Sequence, residues 1–366
     1  VFSTDHPPGR ARRAPRPTKP PRLPAVLARA FAADPPGPAA PPGPRVNPWH
    51  RVGAVPVAVC GRERDLLTGL WSGEGFHRLP DGTLTGVRRR PVPSAGGAYP
   101  VQTHLVVGTA GGTLEAGRYV YDHEHDTLLR RDDRAERAVG RRTDPAGHPP
   151  AGTHVVLTVQ PGRSFGRYRH RAWPLWIADT AYALAAVEFL VRAEPARVLL
   201  GPSAALRGLL GVPRAAEHER WLAQGLAPEI PLAAVELPAA WAPDPGRRAA
   251  LAGRRSPAIS EFTRAARHRP RAAGAERAAA ACGQAWILGA HRLETWSVAT
   301  AAPAAAVAGV LWRAHRAAAA LCYAGAASGR WRCRPVSGFT ATRGRWTVHA
   351  LAMLPGGPGA DGEAAP

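Results

Sequence analysis

Arg90-Pro91-Val92-Pro93-Ser94-Ala95-Gly96-Gly97-Ala98-Tyr99-Pro100 is the stretch on which the reading of this chain turns. It follows the basic run Arg88-Arg89-Arg90 and precedes a strand predicted over Thr103 to Val107. Small residues at Pro93, Ser94, Ala95, Gly96 and Gly97 let backbone N–H groups approach a flat ligand closely, and the Ser94 hydroxyl can add a bond. A glycine turn with no ligand has the same letters, so the surrounding chain has to decide.

Outward from that loop, Asp65 to Trp71 shows helical periodicity, and Asp81-Gly82 marks a polar turn. Gly117 to Tyr121 and His154 to Gln160 are strands by their β-branched and aromatic content, and Trp173 to Ala193 is a long apolar helix. The order of strands, long helix, glycine-containing link and strand predicts an α+β fold. Beyond the long helix come Leu199-Leu200-Gly201, then Leu209-Leu210-Gly211-Val212-Pro213, then a strand over Pro231 to Leu237. A similar plan returns later: a helix over Val307 to Ala327, the segment Arg334-Pro335-Val336-Ser337-Gly338-Phe339, and a strand over Thr347 to Leu354. The expected organisation is a Pro/Arg-rich arm over 1–46, a first half over 47–238, a linker over 239–252, a degenerate second half over 253–354 and a tail over 355–366. The arm reads as extended chain touching the domain at most intermittently, with a short helix near Leu23 to Phe31.

Composition narrows the class. A chain of 366 residues with 45% hydrophobic content can bury two modest cores or one large one. Its net charge of +21 comes from 48 basic residues against 27 acidic ones, and Lys19 is the sole lysine. Part of that arginine excess is what a GC-rich genome produces; the remainder favours an acidic partner. The arginines are dispersed and no nucleic-acid recognition motif accompanies them, so nucleic acid is not the expected partner. Cys60, Cys282, Cys322 and Cys333 lack zinc-finger spacing, which points to a reduced cytoplasmic protein. His123 and His125 flank Glu124 without a third spaced ligand, so no metal is expected. Trp176 to Val191, interrupted by Asp179 and Glu188, is shorter than the roughly 20 residues needed to span a bilayer, and Val1 to Arg13 has no apolar signal core.

Arg90-x-x-Pro93-Ser94-Ala95-Gly96-Gly97-x-Tyr99-Pro100, followed by the strand to Val107 and then Gly117-Arg118-Tyr119-Val120-Tyr121-Asp122, resembles the opening of the SagB-type azoline dehydrogenases of the flavin nitroreductase superfamily. Gly166-Arg167-Tyr168-Arg169-His170-Arg171-Ala172-Trp173 resembles the family's Lys-Tyr motif and is closer to the thiopeptide-pathway versions. The resemblance covers roughly residues 62 to 237 well and the second half loosely. It implies a nitroreductase-like fold arranged as a fused pseudo-dimer, FMN as cofactor, and oxidation of thiazoline or oxazoline rings on a ribosomally made precursor peptide. A YcaO-type cyclodehydratase and an acidic peptide leader would be the partners, and no membrane is involved.

Arg254-Arg255-Ser256 resembles the triplet that grips the FMN phosphate, although Ala258 stands where a further basic residue is usual. Ser337 and Gly338, within Pro335 to Phe339, resemble the loop facing the flavin N5 edge. Arg167 occupies the family's lysine position, and arginine does not serve as a base. Tyr168 is therefore the expected proton acceptor, its pKa lowered by Arg167, Arg169 and Arg171, with His170 the next candidate. The same departure leaves room for a flavin-free scaffold or peptide-binding descendant of such enzymes, and for Tyr168 and its arginines being no more than a surface helix cap.

Overall fold

A computed structural model describes residues 23–32, 38, 40–41, 54–78, 82–108, 113–131, 152–192, 197–217, 219, 221, 227–268, 270–342 and 344–356. Asp81, Lys19, most of the expected arm and nearly all of the expected tail lie outside these residues. Strands β1 (Val55–Val57), β4 (Val101–Val107), β5 (Gly117–Asp122), β6 (Thr127–Arg130), β7 (Thr153–Val159), β8 (Arg197–Leu200) and β9 (Ile230–Leu237) form one antiparallel-paired sheet. Its order is β1-β6-β5-β4-β7-β9-β8. A second sheet takes β10 (Arg292–Ala299), β13 (Arg345–Pro355) and β11 (Trp331–Val336) in that order, with β12 (Ala341–Thr342) on β13. A separate hairpin joins β2 (Phe76–Arg78) to β3 (Leu84–Arg88), and further short helices are α3 (Phe165–Tyr168), α5 (Ala204–Leu210), α7 (Ile259–Ala265) and α8 (Ala275–Cys282).

Every residue of β4 is buried, because helices cover both faces of this central strand. Val101, Leu105 and Val107 face the long helix α4 (Ala172–Val191), and Val106 joins Leu206, Leu210 and Trp221 on the other face. Alternation with a period of two makes that division possible. Helix α4 is apolar on nearly all sides, as a helix enclosed by protein must be. Together with the short turn of helix before it, the run Phe165–Val191 is 27 residues and is long and apolar enough to cross a membrane, contrary to the length expected; 83% of its apolar window is buried inside the fold.

The two halves share a topology. In the first, β7 leads through α4 to β8, and β9 then inserts antiparallel between β7 and β8. In the second, β10 leads through α9 (Ala304–Ser328) to β11, and β13 inserts antiparallel between β10 and β11. The opening strand of each unit carries a register shift, at Leu157/Thr158 and at Trp296/Ser297. The long helices meet, with Tyr323 Oη donating to the Tyr182 carbonyl at 2.9 Å and Arg316 pairing with Glu188 at 2.6 Å. Strand β10 had no sequence expectation.

Two organisational expectations need correction. The connector over 239–252 contains the packed helix α6 (Pro245–Gly253), capped by Asp244 and holding Leu251 in the core. The described part of the arm does not touch the domain intermittently: α1 (Leu23–Ala30) and the turn after it bury Leu27, Ala30 and Phe31. Phe31 stacks on Trp346 at 5.0 Å between ring centroids. Few apolar residues suffice to dock a short helix when each is buried almost fully. Phe31→Ala is expected to cost about 3 to 4 kcal/mol of unfolding free energy in urea denaturation; a loose arm would show no change.

Candidate functional site

Between the halves lies a cavity of about 960 Å³. Helix α2 (Gly61–Trp71) ends at its edge, and the β2–β3 hairpin closes one side by turning His77, Thr85 and Val87 inward while Phe76, Leu84 and Arg88 stay exposed. Pro93, Ser94, Ala95, Gly96 and Gly97 form another wall, Arg254, Arg255 and Ser256 a third, with Pro335 and Ser337 beside them. Arg167 is also a wall residue. The structure therefore brings together most of the residues singled out in the sequence. Gly338, Tyr168 and His170 are not wall residues.

The loop is held by a group the sequence reading passed over as an interruption in an apolar stretch. Asp179, on α4, accepts from Ser94 Oγ at 2.7 Å and from the Ala95 N–H at 3.0 Å, while Ser94 Oγ accepts from the Tyr99 N–H at 2.9 Å. Gly96 and Gly97 have φ of +57° and +66°, the left-handed region where glycine is unstrained. A Cβ on Gly96 would lie 2.1 Å from Tyr168 Oη. Tyr168 thus packs directly against the loop backbone, and Arg167 Nη1 donates to the Gly96 carbonyl at 3.4 Å. Strain marks both partners: Tyr99 and Arg169 are non-glycine residues at φ +44° and +49°.

The arm secures the same segment from outside. Ala40 N–H donates to the Gly166 carbonyl at 2.8 Å, Arg169 Nη2 to the Pro38 carbonyl at 3.1 Å, and Arg171 Nη2 to the Ala32 carbonyl at 3.2 Å. Residues 166–171 are therefore not a solvated helix cap.

Titration behaviour corrects a further expectation. Tyr168 has its pKa raised, not lowered: burial outweighs the Arg167 cation, and Asp179 adds to the rise. His77 moves the other way, its pKa lowered by burial and by Arg89 and Arg254, which leaves it neutral near pH 7. His77 Nε2 lies 3.1 Å from Tyr99 Oη. A lone histidine in a hairpin carries no sequence signal, so it escaped notice until the fold placed it in the wall.

Asp179 is pushed up to about 7 by burial against the pull of its Ala95 and Ser94 donors. The folded chain holds this proton up to about pH 7, whereas an ordinary aspartate releases it near 3.8. Folding stability from this group is complete below the lower value and is lost as pH rises through the upper one. The melting temperature of the wild type is expected to fall from pH 4 to pH 7 relative to Asp179→Asn. Parallel curves for the two proteins would show that the carboxyl titrates normally.

Cations dominate the wall. Its carboxyls are Glu74 and Asp179, whereas among the described residues no carboxylate pairs with Arg254 or Arg255. Arg254 ties the halves, its Nε donating to the Pro91 carbonyl at 3.0 Å and its Nη1 to Ser256 Oγ at 3.1 Å. Arg90, by contrast, is buried structurally: it donates to the carbonyls of Trp71 and His123 and pairs with Glu124 at 3.1 Å. His123, His125 and Glu124 occupy the β5–β6 turn, and no metal-holding cluster of three or more occurs among the described residues.

No sequence-family profile and no curated protein matches this chain. Among solved structures, a nitroreductase-like protein of Anabaena variabilis superposes at a TM-score of 0.54 and 14% identity, covering 80% of this chain and 87% of the other. The fold is accordingly nitroreductase-like and α+β. The E. coli microcin synthetase McbBCD complex with truncated pro-MccB17 bound aligns at a TM-score of 0.29 and 17% identity, over 48% of this chain and 62% of that one. A nitroreductase-like protein of Ralstonia eutropha aligns at 0.22 and 18%, over 55% and 97%. At those two scores the likeness supports no conclusion.

Proposed function

We propose that this chain is an FMN-dependent oxidoreductase that removes two hydrogens from thiazoline or oxazoline rings in a ribosomally made peptide, leaving thiazoles or oxazoles. The observation that carries this reading is the convergence on one cavity of the Pro93–Gly97 loop from the first half with Arg254–Ser256 and Ser337 from the second. Each half contributes what the other lacks, as expected of a fused pseudo-dimer that keeps one composite site. The string Gly166 to Trp173 supports azoline chemistry in particular, since its Arg167 and Tyr168 meet that same loop at Gly96.

FMN suits the residues present. The cavity volume falls at the large end of the roughly 300–1,000 Å³ typical of ligand sites. Arg254, Arg255 and Ser256 offer a phosphate dianion two cations and a hydroxyl. The Pro93–Gly97 loop, held by Asp179, would support the ring system. When bound, FMN supplies the acceptor for one ring hydrogen with its electron pair.

The other hydrogen leaves as a proton, and we assign its acceptance to His77. In the tautomer whose Nε2–H donates to Tyr99 Oη, Nδ1 of the neutral ring is left to accept it. The Arg167 guanidinium offsets negative charge developing on the ring. Tyr168, with its raised pKa, remains a phenol that fixes Gly96 and through it the loop. The cationic wall favours a peptide carrying acidic residues, and a cyclodehydratase of the YcaO type would supply the azoline. The test is incubation of FMN-loaded protein with an azoline-containing peptide. A loss of two mass units per ring supports the reading; an unchanged mass with flavin bound would reject the azoline assignment.

A further inference from the structure

The inner face of the β2–β3 hairpin walls the cavity, while its outer face has no role so far. Side chains on a strand alternate between faces: His77, Thr85 and Val87 are half-buried, whereas Phe76, Arg78, Leu84, Gly86 and Arg88 are exposed. Phe76 is 42% exposed and Leu84 55%, although both are large and apolar. The register sets each beside an arginine, Phe76 opposite Arg88 and Arg78 opposite Leu84. The Arg88 guanidinium lies 5.9 Å from the Phe76 ring centroid. Among the described residues no carboxylate pairs with Arg78, Arg88 or Arg89.

Gly86 lies on this face between the two pairs. Its φ is outside the left-handed region, and a Cβ there would meet no atom within 4 Å. The register shift between Phe76 and Arg78 does not need a glycine either, because Thr85 closes it: its Oγ1 donates to the His77 carbonyl at 2.9 Å and accepts from the Val87 N–H at 3.2 Å. Glycine weakens a strand, and nothing in the free chain calls for one here. Such a position marks the close approach of another backbone. Arg78 is both exposed on this face and part of the cavity wall, so notch and cavity are continuous. A chain whose reacting ring sits near His77 must cross the rim of the ribbon to reach Gly86, roughly 10 Å. An extended peptide covers that in about three residues.

We propose that the outer face of the hairpin, with Gly86 as its notch, docks a segment of the substrate peptide that carries acidic and apolar residues about three to five positions from the reacting ring. The peptide backbone crosses at Gly86, its carboxylates meet Arg78 and Arg88, and an apolar side chain covers Phe76 and Leu84. The assignment rests on the azoline reading and adds to it how the sequence around the ring is selected.

The probes are two synthetic peptides with one thiazoline each, one carrying Asp and Leu at the fourth and fifth positions from the ring, the other Asn and Ser. Binding to FMN-loaded protein is followed by fluorescence anisotropy of a terminal label, and oxidation by peptide mass. Wild type is expected to bind the Asp/Leu peptide about tenfold more tightly, for two exposed ion pairs and an apolar contact, and added salt should shrink the difference. Gly86→Val should abolish most of that preference and raise KM for the Asp/Leu peptide more than it lowers kcat. It should also melt no lower than wild type, because valine suits a strand. Arg88→Gln should weaken the Asp/Leu peptide about twofold to fivefold and the Asn/Ser peptide less. Equal affinity of wild type for the two peptides, or unaltered Asp/Leu binding by Gly86→Val, overturns the docking face while azoline oxidation stands. Oxidation of neither peptide by wild type rejects the azoline reading and the docking assignment with it. If Gly86→Val melts lower than wild type, Arg88→Gln decides on the same measurements.

Discussion

His77→Ala is expected to lower azoline oxidation by about 10² to 10⁴, the range a positioned base contributes, with flavin content unchanged. Tyr168→Phe should lose less than about tenfold, because it removes a buried hydroxyl from beside Gly96 and leaves the proton acceptor in place. The contrast follows from opposite environments. Burial raises the tyrosine pKa despite Arg167, so forming a phenolate there is costly. Burial and two arginines lower that of His77, so the neutral form needed for catalysis persists below the ordinary histidine value of 6.5. The acid limb of the kcat/KM profile should therefore lie below pH 6.5 in the wild type and disappear in His77→Ala. Peptide mass spectrometry over a time course measures both rates. A Tyr168→Phe protein that is the slower of the two returns the base to Tyr168.

Arg254→Ala should weaken FMN retention roughly ten- to hundredfold, the value of one charge-assisted hydrogen bond to a dianion. Arg255→Ala should do less, since Arg255 is exposed and its Nη1 already donates to the carbonyls of Ala252 and Arg254. Arg254 also grips the Pro91 carbonyl next to the Pro93–Gly97 loop, so its loss loosens the seam between halves as well. Flavin released on dilution reads the effect. Equal retention by wild type and Arg254→Ala would make the triplet ordinary surface arginine.

Much of the fold was legible because its strong elements have strong periods. Val101–Val107 and Thr153–Val159 are β-branched runs, and Ala172–Val191 and Ala304–Ser328 are long apolar helices whose ends fell within a few residues of expectation. Strand β10 was missed because Arg292–Ala299 mixes charge with apolar residues on a half-exposed sheet. Helix α6 was missed because Pro and Ala read as linker, although proline at the first turn after Asp244 suits a helix start. The arm was misjudged because it is rich in Pro and Arg and has no sustained period, while docking depends on three residues, Leu27, Ala30 and Phe31.

The candidate site was legible where backbone conformation dictates residue type and obscure where only tertiary placement gives a side chain meaning. Gly96 and Gly97 announce themselves, and Arg254 and Ser256 form a recognisable triplet. Asp179 looked like a flaw in an apolar helix until its oxygens met Ser94 and Ala95.

A single composite flavin site built from both halves is tested most directly by the visible absorption spectrum of the purified, FMN-reconstituted protein. Quantified against protein concentration, the flavin band should correspond to one FMN per chain, and it should diminish in Arg254→Ala. Two FMN per chain, or none after reconstitution, would contradict it.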